Sequence, residues 1–255
     1  MQVGRVGVEP GVELAIEVRG EGPDLLCVHG FGGAKEDFGD HVEAMAGQWR
    51  VITMDLRGHG DSDGPADPAT YSLDRMARDV EAVADAVGAD RFRLLGHSMG
   101  GMVARRVVLA RPDRVAALAL DDWPALSKLL EEVAPLRTPA YQRVIDEREG
   151  FGEFIAWKWS RVAPPMWAAL APQIVREPVE LDRLREVTCP TLVIVGDLDA
   201  AFYDGSLAIA DAVPGSRLAV IGDAGHHPQF EQPEAWLEAV TSFLDDVDRQ
   251  ERTHA

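Results

Sequence analysis

A serine between closely spaced glycines is the sequence feature that most directly indicates chemistry. Gly96-His97-Ser98-Met99-Gly100 matches the pattern G-x-S-x-G. It follows an apolar run typical of a strand and precedes a segment typical of a helix, and this context gives so short a motif its meaning. A serine on a sharp strand-to-helix turn has strained backbone angles, and flanking glycines let the chain pass close to its neighbours. The motif predicts an exposed, nucleophilic hydroxyl at Ser98.

Strand-like and helix-like segments alternate along the chain and must position this turn. Residues 12–18 alternate apolar and polar, as in a strand with one solvated face, whereas 25–28 and 51–54 are continuous apolar runs typical of strands covered on both faces. Between Ser72 and Gly88, apolar residues recur at the spacing of an amphipathic helix that a serine caps. Further strands are predicted at 91–95, 115–120, 191–195 and 218–221, and further helices from Met99 and from Pro233. The pattern predicts a mostly parallel, twisted sheet with an antiparallel edge and helices on both faces.

One long segment interrupts the alternation. Residues 122–186 contain no strand-like run but are rich in aromatic residues. Aromatic residues in an insertion either cover an apolar pocket or seat the insertion on the core, and the two roles are compatible. We therefore expect a helical cap at 122–186, between a first core segment, 1–121, and a second, 187–255. The residues expected to line a substrate pocket are Trp123, Phe154, Trp157, Trp159 and Trp167.

Composition narrows the classes of partner. The chain has 255 residues, of which 46% are hydrophobic and 27% charged, so it has enough apolar material for a sizeable core. Its formal net charge of −18 disfavours nucleic acid and anionic membrane surfaces as partners. No signal peptide or membrane-spanning run is recognised, and Cys27 and Cys189 lack metal-site spacing. We expect a cytoplasmic protein with free thiols and no metal or other cofactor, whose oligomeric state is left open.

Four landmarks together resemble the α/β-hydrolase fold superfamily, over nearly the whole chain from Leu25 to the final helix. They are the segment 29–33 (His-Gly-Phe-Gly-Gly), the segment 55–62 (Asp-Leu-Arg-Gly-His-Gly-Asp-Ser), the turn at Ser98, and a Gly-His pair that ends at His226. The resemblance implies an α/β-hydrolase fold, with a mostly parallel eight-stranded sheet and a helical cap. It is less specific for substrate, because one fold supports many chemistries.

The resemblance also implies a catalytic triad in the chain order serine, acid, histidine. A serine hydroxyl is a weak nucleophile that needs an imidazole within reach and a carboxylate to orient the imidazole. Ser98 is the expected nucleophile and His226, in the loop after the last strand, the expected base. Asp199 follows a strand where this superfamily usually carries the acid, whereas Asp121 and Asp122 follow an earlier strand where some members carry it. We favour Asp199 and keep Asp122 or Asp121 as the alternative acid.

Other histidines receive structural interpretations. His227 adjoins His226 but is disfavoured as the base, because consecutive loop residues usually point apart. His97 is expected to point away from the active face of the turn. His41 is expected at the surface, and His59, between two glycines, in a tight surface loop.

The fold also requires an oxyanion hole made of two backbone N–H groups. One comes from the residue after the nucleophile and one from the loop after the third strand. In this chain the two positions are Met99 and Phe31. The glycines on either side of Phe31 allow its loop the unusual geometry that aims an amide inward.

The sequence thus predicts a cofactor-free serine hydrolase that cleaves a small or medium uncharged carboxylic ester or lactone through an acyl-enzyme. The same residues suit a carbon–carbon bond hydrolase, a perhydrolase or an acyltransferase. A different class is a non-catalytic ligand receptor on the same fold. Epoxide hydrolases and haloalkane dehalogenases are disfavoured, because they carry an aspartate where this chain has Ser98.

Overall fold

The computed structural model describes residues 2–121, 138–176 and 180–254, which are organised around an eight-stranded sheet. Its strands are β1 (Gln2–Glu9), β2 (Val12–Arg19), β3 (Asp24–Val28), β4 (Arg50–Met54), β5 (Phe92–His97), β6 (Val115–Asp121), β7 (Thr191–Gly196) and β8 (Arg217–Ile221). Their spatial order is β1-β2-β4-β3-β5-β6-β7-β8. β2 pairs antiparallel with β1 and with β4, and every pair from β4 to β8 is parallel.

Helices cover both faces of this sheet. They are α1 (Gly39–Met45), α2 (Leu73–Ala86), α3 (Met99–Ala110), α4 (Pro139–Glu147), α5 (Phe151–Ser160), α6 (Pro164–Arg176), α7 (Leu181–Leu184), α8 (Tyr203–Ala212), α9 (Pro228–Glu231) and α10 (Pro233–His254). Apolar side chains of α2, α3 and α8 pack on one face, and those of α1 and α10 on the other. Within the described ranges, none of these helices combines the length and the apolar character needed to cross a bilayer.

The sequence patterns predict the interior elements well. Residues 25–28 of β3 and 51–54 of β4 are buried, as their continuous apolar runs indicate, and β5 and β6 are buried along their whole length. Ser72 caps α2, because its Oγ accepts a hydrogen bond from the N–H of Arg75 at 3.2 Å, and Gly88 follows the helix at φ 70°. The predicted fold class, a mostly parallel eight-stranded sheet with an antiparallel edge and helices on both faces, is confirmed.

Elements at the edges of the sheet have weaker sequence signals. β1 is an edge strand in which Val6 is the single buried side chain, so its residues show no regular apolar alternation. His41 of α1, predicted at the surface, is buried instead. Its ring packs on Trp236 of α10 with ring centroids 4.6 Å apart, and its Nε2 lies 2.9 Å from the carbonyl oxygen of Gln229. The prediction for His41 is wrong because α10 covers α1.

The long connection between β6 and β7 is helical where the structure describes it. Residues 138–176 and 180–186 form α4 to α7 and contain no strand. Tyr141 of α4 and Phe151 of α5 share a small apolar cluster with Phe230 of α9. This cluster seats the insertion on the core, while the division of the chain into 1–121, 122–186 and 187–255 stays a prediction.

The strand order places a ligand site near the centre of the sheet. β3 pairs with β4 on one side and with β5 on the other, so the chain reverses its direction of progress across the sheet at β3. In open α/β sheets, ligands bind outside the carboxyl ends of the strands at such a reversal. Here those ends lead into residues 29–33 and into Ser98, two of the segments that the sequence singles out.

A buried ion pair joins the last helix to the sheet, and it gives a test of the fold. Arg93 of β5 donates to the carboxylate of Asp248 on α10, with Nε at 2.8 Å from Oδ1, and the indole N–H of Trp49 donates to the other carboxylate oxygen at 3.0 Å. We expect Asp248→Ala to lower the free energy of unfolding by about 3–5 kcal/mol, because it removes the buried carboxylate of the pair. The Trp49 N–H loses its acceptor, and the Arg93 guanidinium keeps only its bond to the partly exposed Glu251 among the described residues. Urea denaturation measures the loss.

The matched control is Asp246→Ala, two residues earlier on the same helix. Asp246 pairs with Arg217 and Arg249 at the surface, where water screens the charges. We expect its midpoint of urea denaturation to stay close to that of the unchanged protein. Equal losses for the two variants would show that α10 is not held by the buried pair.

Candidate active site

Ser98 occupies a strained turn between β5 and α3. Its φ of 52° lies in the left-handed region, which non-glycine residues rarely adopt. A Cβ added to Gly96 would lie 2.4 Å from the carbonyl oxygen of Gly100, and one added to Gly100 would lie 2.1 Å from the carbonyl oxygen of Val28. Both glycines are therefore required for the turn to close, and the turn holds the Ser98 hydroxyl at the carboxyl edge of the sheet.

A chain of two hydrogen bonds links Ser98, His226 and Asp199. The Nε2 of His226 lies 3.0 Å from Ser98 Oγ, and its Nδ1 lies 2.8 Å from Asp199 Oδ2. Because a carboxylate only accepts hydrogen bonds, Nδ1 is the donor and Nε2 of the neutral ring is free to accept from the serine hydroxyl. Asp199 is fully buried and His226 nearly so, whereas Ser98 is half-buried. The arrangement suits a serine that loses its proton to an imidazole.

Several groups fix the orientation of the imidazole. The ring of Phe202 stacks on that of His226, with centroids 4.3 Å apart and planes 26° apart. His97 Nε2 donates to the His226 carbonyl oxygen at 2.9 Å, so His97 points away from the hydroxyl of Ser98 as predicted. The histidine loop (residues 223–227) is also held by Glu231, whose carboxylate accepts backbone N–H bonds at 2.8 and 2.9 Å. No sequence pattern distinguishes Glu231, because its role depends on the path of the loop.

The two alternative acids have different outcomes. Asp121 lies at the end of β6, but its Oδ2 accepts a hydrogen bond from the indole N–H of Trp236 at 2.8 Å, on the α10 side of the sheet. Its carbonyl oxygen accepts the N–H of Ser98 at 2.8 Å, so Asp121 supports the turn through its backbone. Asp122 lies outside the described residues. Of the carboxylates that the structure describes, Asp199 is the one bonded to His226.

The glycine loop (residues 29–33) forms a tight turn beside Ser98. The N–H of Gly33 donates to the carbonyl oxygen of Gly30 at 3.1 Å, and Gly32 has a φ of 69°. A Cβ on Gly30 would lie 3.1 Å from that of Ser98, so the loop and the Ser98 turn touch. Among the described residues, the backbone N–H groups of Phe31 and Met99 have no hydrogen-bond acceptor, which leaves both available to a ligand.

Buried neutral histidines support this loop. His59 Nε2 accepts the N–H of Gly32 at 3.2 Å, and His29 Nε2 accepts the N–H of Leu56 at 3.0 Å. Burial lowers the pKa of His29 to about 3 and that of His59 well below its usual value, so both rings stay neutral and can accept. The prediction that His59 lies in a surface loop is wrong, because segment 55–62 folds beneath the glycine loop and buries the ring completely.

The aromatic residues expected to line a pocket fall into two groups. Trp159 and Trp167 lie beside the glycine loop. Trp167 is 4.8 Å from Phe31 between ring centroids, and Trp159 lies so close to Gly32 that a Cβ there would be 2.7 Å from its ring. Both indoles keep about half of their surface exposed, at 47% and 48%.

The second group is Phe154 and Trp157 of α5. Phe154 packs on the cluster of Tyr141, Phe151 and Phe230, and its ring contacts that of Phe230 edge-on at 6.2 Å. Trp157 stacks on Phe154 at 6.1 Å and lies under the guanidinium of Arg161, so Phe154 is the residue of the two that seats α5. Trp123 lies outside the described residues.

Comparison with known proteins agrees with the fold. A family model described as alpha/beta hydrolase fold matches residues 23–158, more than half of the chain. The chain therefore belongs to the alpha/beta hydrolase family, as the four sequence landmarks imply.

Individual relatives cover nearly the whole chain. Pimeloyl-[acyl-carrier protein] methyl ester esterase of Aeromonas hydrophila is 28% identical over 91% of this chain and 100% of its own length. The structure of an N-acyl homoserine lactone degrading enzyme is 28% identical, with a TM-score of 0.82 over 94% of this chain and 100% of that one. A thermophilic esterase from Thermogutta terrifontis is 32% identical, with a TM-score of 0.77 over 97% and 99% of the two chains.

The burial of His97 predicts how stability depends on pH. Burial, with the nearby His226 adding to it, lowers the pKa of His97 to about 3, whereas an unfolded histidine titrates near 6.5. Between these values the unfolded chain binds a proton that the folded chain does not, so this group makes stability fall as the pH falls below about 6.5. We expect His97→Gln, which keeps a donor to the His226 carbonyl oxygen, to reduce the slope by about 1 kcal/mol per pH unit.

Urea denaturation at several pH values between about 4 and 6 measures this slope. Near pH 8 the side chain at position 97 is uncharged in the unchanged protein and in the His97→Gln variant. The difference between their free energies of unfolding at that pH therefore reports packing alone. Parallel curves for the two proteins between pH 4 and 6 would contradict a neutral, buried His97.

Proposed function

We propose that the protein is a serine esterase that uses Ser98, His226 and Asp199 to cleave a small or medium uncharged carboxylic ester or lactone. The observation that carries this proposal is the continuous hydrogen-bond chain from Ser98 Oγ through His226 to Asp199. In it a hydroxyl, an imidazole and a buried carboxylate have the order and spacing of nucleophile, base and orienting acid.

The reaction proceeds through a covalent intermediate. Ser98 Oγ attacks the ester carbonyl carbon while its proton passes to His226 Nε2, and the carbonyl oxygen becomes an anion that the N–H groups of Phe31 and Met99 stabilise. The protonated imidazole, held by Asp199, then gives its proton to the departing alkoxide, and the acyl group stays on Ser98. A water molecule then gives a proton to His226 and attacks the acyl carbon. The bond from that carbon to Ser98 Oγ breaks, the carboxylic acid leaves, and the protonated imidazole returns its proton to Oγ.

The esterase class has support beyond the geometry. The protein is a carboxylic ester hydrolase of the alpha/beta hydrolase family, in line with relatives named as esterases that match over nearly their full length. One similar structure is described as an enzyme that degrades N-acyl homoserine lactones. A lactone is a cyclic ester, and the same attack at its carbonyl opens the ring without loss of an alcohol. We include lactones among the proposed substrates for this reason.

The surroundings of the turn favour an uncharged substrate with an apolar group. Phe31 within the glycine loop and two tryptophans beside it form an aromatic surface, in which the ring centroid of Trp167 lies 4.8 Å from that of Phe31 and 5.7 Å from that of Trp159. An aliphatic or aromatic chain next to the scissile carbonyl can pack on such rings and gain free energy from apolar contact.

Replacement of the nucleophile tests the proposal directly. We expect Ser98→Ala to lower kcat for p-nitrophenyl esters by about a million-fold, because both covalent steps need the hydroxyl. Turnover should be measured on esters of increasing acyl length and on an acyl lactone, and a fluorophosphonate probe should label the unchanged protein but not Ser98→Ala. Retention of most esterase activity by Ser98→Ala would refute the assignment, and labelling without turnover would favour a receptor.

The orienting acid is identified by comparing two amide substitutions. We expect Asp199→Asn to lower kcat by roughly ten-thousand-fold, because the amide no longer holds the required tautomer of His226. Asp122→Asn is the matched variant for the alternative acid, and we expect it to keep kcat within about tenfold of the unchanged enzyme, a small loss beside that at Asp199. The larger loss marks the true acid, so a greater effect at position 122 would reverse the assignment.

A further inference from the structure

Apart from the pair of Arg93 and Asp248, a charged pair is buried beside the glycine loop, and the proposed reaction does not use it. Lys158 of α5 donates from Nζ to Asp37 Oδ1 at 2.6 Å, and the two side chains are only 6% and 4% exposed. Asp37 follows the glycine loop by four residues, whereas Lys158 belongs to the insertion. A pair of charges is costly to bury unless its geometry is tight, so its place between insertion and loop calls for a role.

Asp37 contacts the glycine loop directly. A Cβ on Gly33 would lie 2.5 Å from Asp37 Oδ2 and 2.9 Å from His29 Nδ1. The carboxylate therefore lies against the backbone of Gly33, whose N–H closes the turn onto Gly30. Movement of the carboxylate would move the residue that ends this turn.

Lys158 also reaches the opposite side of the site. Its ammonium lies 4.9 Å from the ring centroid of Phe154 and 5.4 Å from that of Phe230. Phe230 belongs to α9, which begins directly after the histidine loop. One side chain thus contacts the supports of both the glycine loop and the histidine loop, through a hydrogen-bonded ion pair and through cation–π contacts.

Other contacts in and just after α5 lie around the same loop but are weaker. Trp159 covers Gly32 from the outer side. Arg161, directly after α5, pairs at 3.0 Å with Asp61 of segment 55–62, which packs beneath the loop, but both side chains are nearly half exposed, and exposed pairs contribute little. The buried pair of Lys158 and Asp37 is therefore the strongest polar link between α5 and the loop.

We propose that Lys158 is a positioning residue that, through Asp37, holds the glycine loop so that the Phe31 N–H points at the developing oxyanion. This role rests on the proposed function. Oxyanion stabilisation depends on donors fixed in place before the reaction, and displacement by about 1 Å can cost a hundredfold in rate. Because the anion exists only in the transition state and the intermediate, loss of the link affects kcat far more than KM.

The test compares Lys158→Met, Lys158→Arg and the double variant Lys158→Met/Asp37→Leu, with active sites counted by fluorophosphonate titration. We expect Lys158→Met to lower kcat per titrated site by about 10- to 100-fold while KM changes less than about threefold. The inhibition constant of a trifluoromethyl ketone, whose adduct oxygen occupies the oxyanion position, should rise in parallel with the loss of kcat/KM. Lys158→Arg should keep most of kcat, because arginine can restore the pair.

The double variant separates positioning from stability. It removes the unpaired buried carboxylate, so its Tm should recover relative to Lys158→Met, while kcat stays low because the link to α5 is still absent. Recovery of both Tm and kcat would overturn the proposal, as would a Lys158→Met variant with full kcat per titrated site.

Two controls remove ion pairs elsewhere. Arg148→Met breaks a pair with Asp40 at 2.6 Å, which joins the same insertion to the core at the surface, and Arg93→Met breaks the buried pair with Asp248. Neither of these ion pairs touches the glycine loop, so we expect kcat per titrated site to be unchanged in both control variants. The role of Lys158 is overturned if either control variant loses as much kcat as Lys158→Met. An unchanged protein that neither hydrolyses the esters nor reacts with the probe would overturn the proposed function and this role with it, whereas an active one with an equally active Lys158→Met overturns this role alone.

Discussion

The close approach of the Ser98 turn to the end of β3 is the constraint on which the rest of the site depends. The backbone of Gly100 lies so near the carbonyl oxygen of Val28 that no side chain fits between them. Helix α3 begins directly after Ser98, which is held at a positive φ that a non-glycine residue rarely adopts. The packing of two fully buried strands, β5 and β6, holds the turn in place despite this local strain. Because the turn is fixed to β3, the loop that leaves β3 is fixed beside the serine.

Buried polar groups then set the geometry around the turn. Burial keeps the rings of His29, His59 and His97 neutral. A neutral ring has one donor nitrogen and one acceptor nitrogen, so these histidines contribute hydrogen bonds and no charge. Buried charges near the site are instead paired, as in Lys158 with Asp37, or bonded to backbone N–H groups, as in Glu231. Such a network fixes the groups around Ser98 before a ligand binds, which is the preorganisation that the proposed oxyanion stabilisation requires.

Local sequence predicts much of this arrangement. The turn at Ser98 follows from glycines two residues away on each side, the helix over 73–86 from its apolar spacing, and the sheet from its continuous apolar runs. These features share one property, that the residues responsible are close together in the chain. The histidine at position 226 is indicated by the resemblance to the α/β-hydrolase fold, in which the base directly follows a glycine, and not by a local pattern alone.

Other features depend on contacts between distant segments. His59 has the glycine neighbours of a surface turn, yet it is buried because residues 55–62 pass beneath the glycine loop. Lys158 and Asp37 are 121 residues apart, and nothing near either residue marks it as one of a buried pair. β1 buries Val6 alone, so its strand conformation is fixed by pairing with β2 and not by an apolar pattern. Helix geometry explains why such tertiary contacts concentrate on α5: successive residues point about 100° apart, so Lys158 contacts Asp37 while Trp159 covers Gly32. The glycine loop lies between these two contacts. Under the proposed mechanism, a substitution in α5 that alters the surface formed by Trp159 would therefore also affect the support of the proposed oxyanion donors, and one helix would couple substrate preference to transition-state stabilisation.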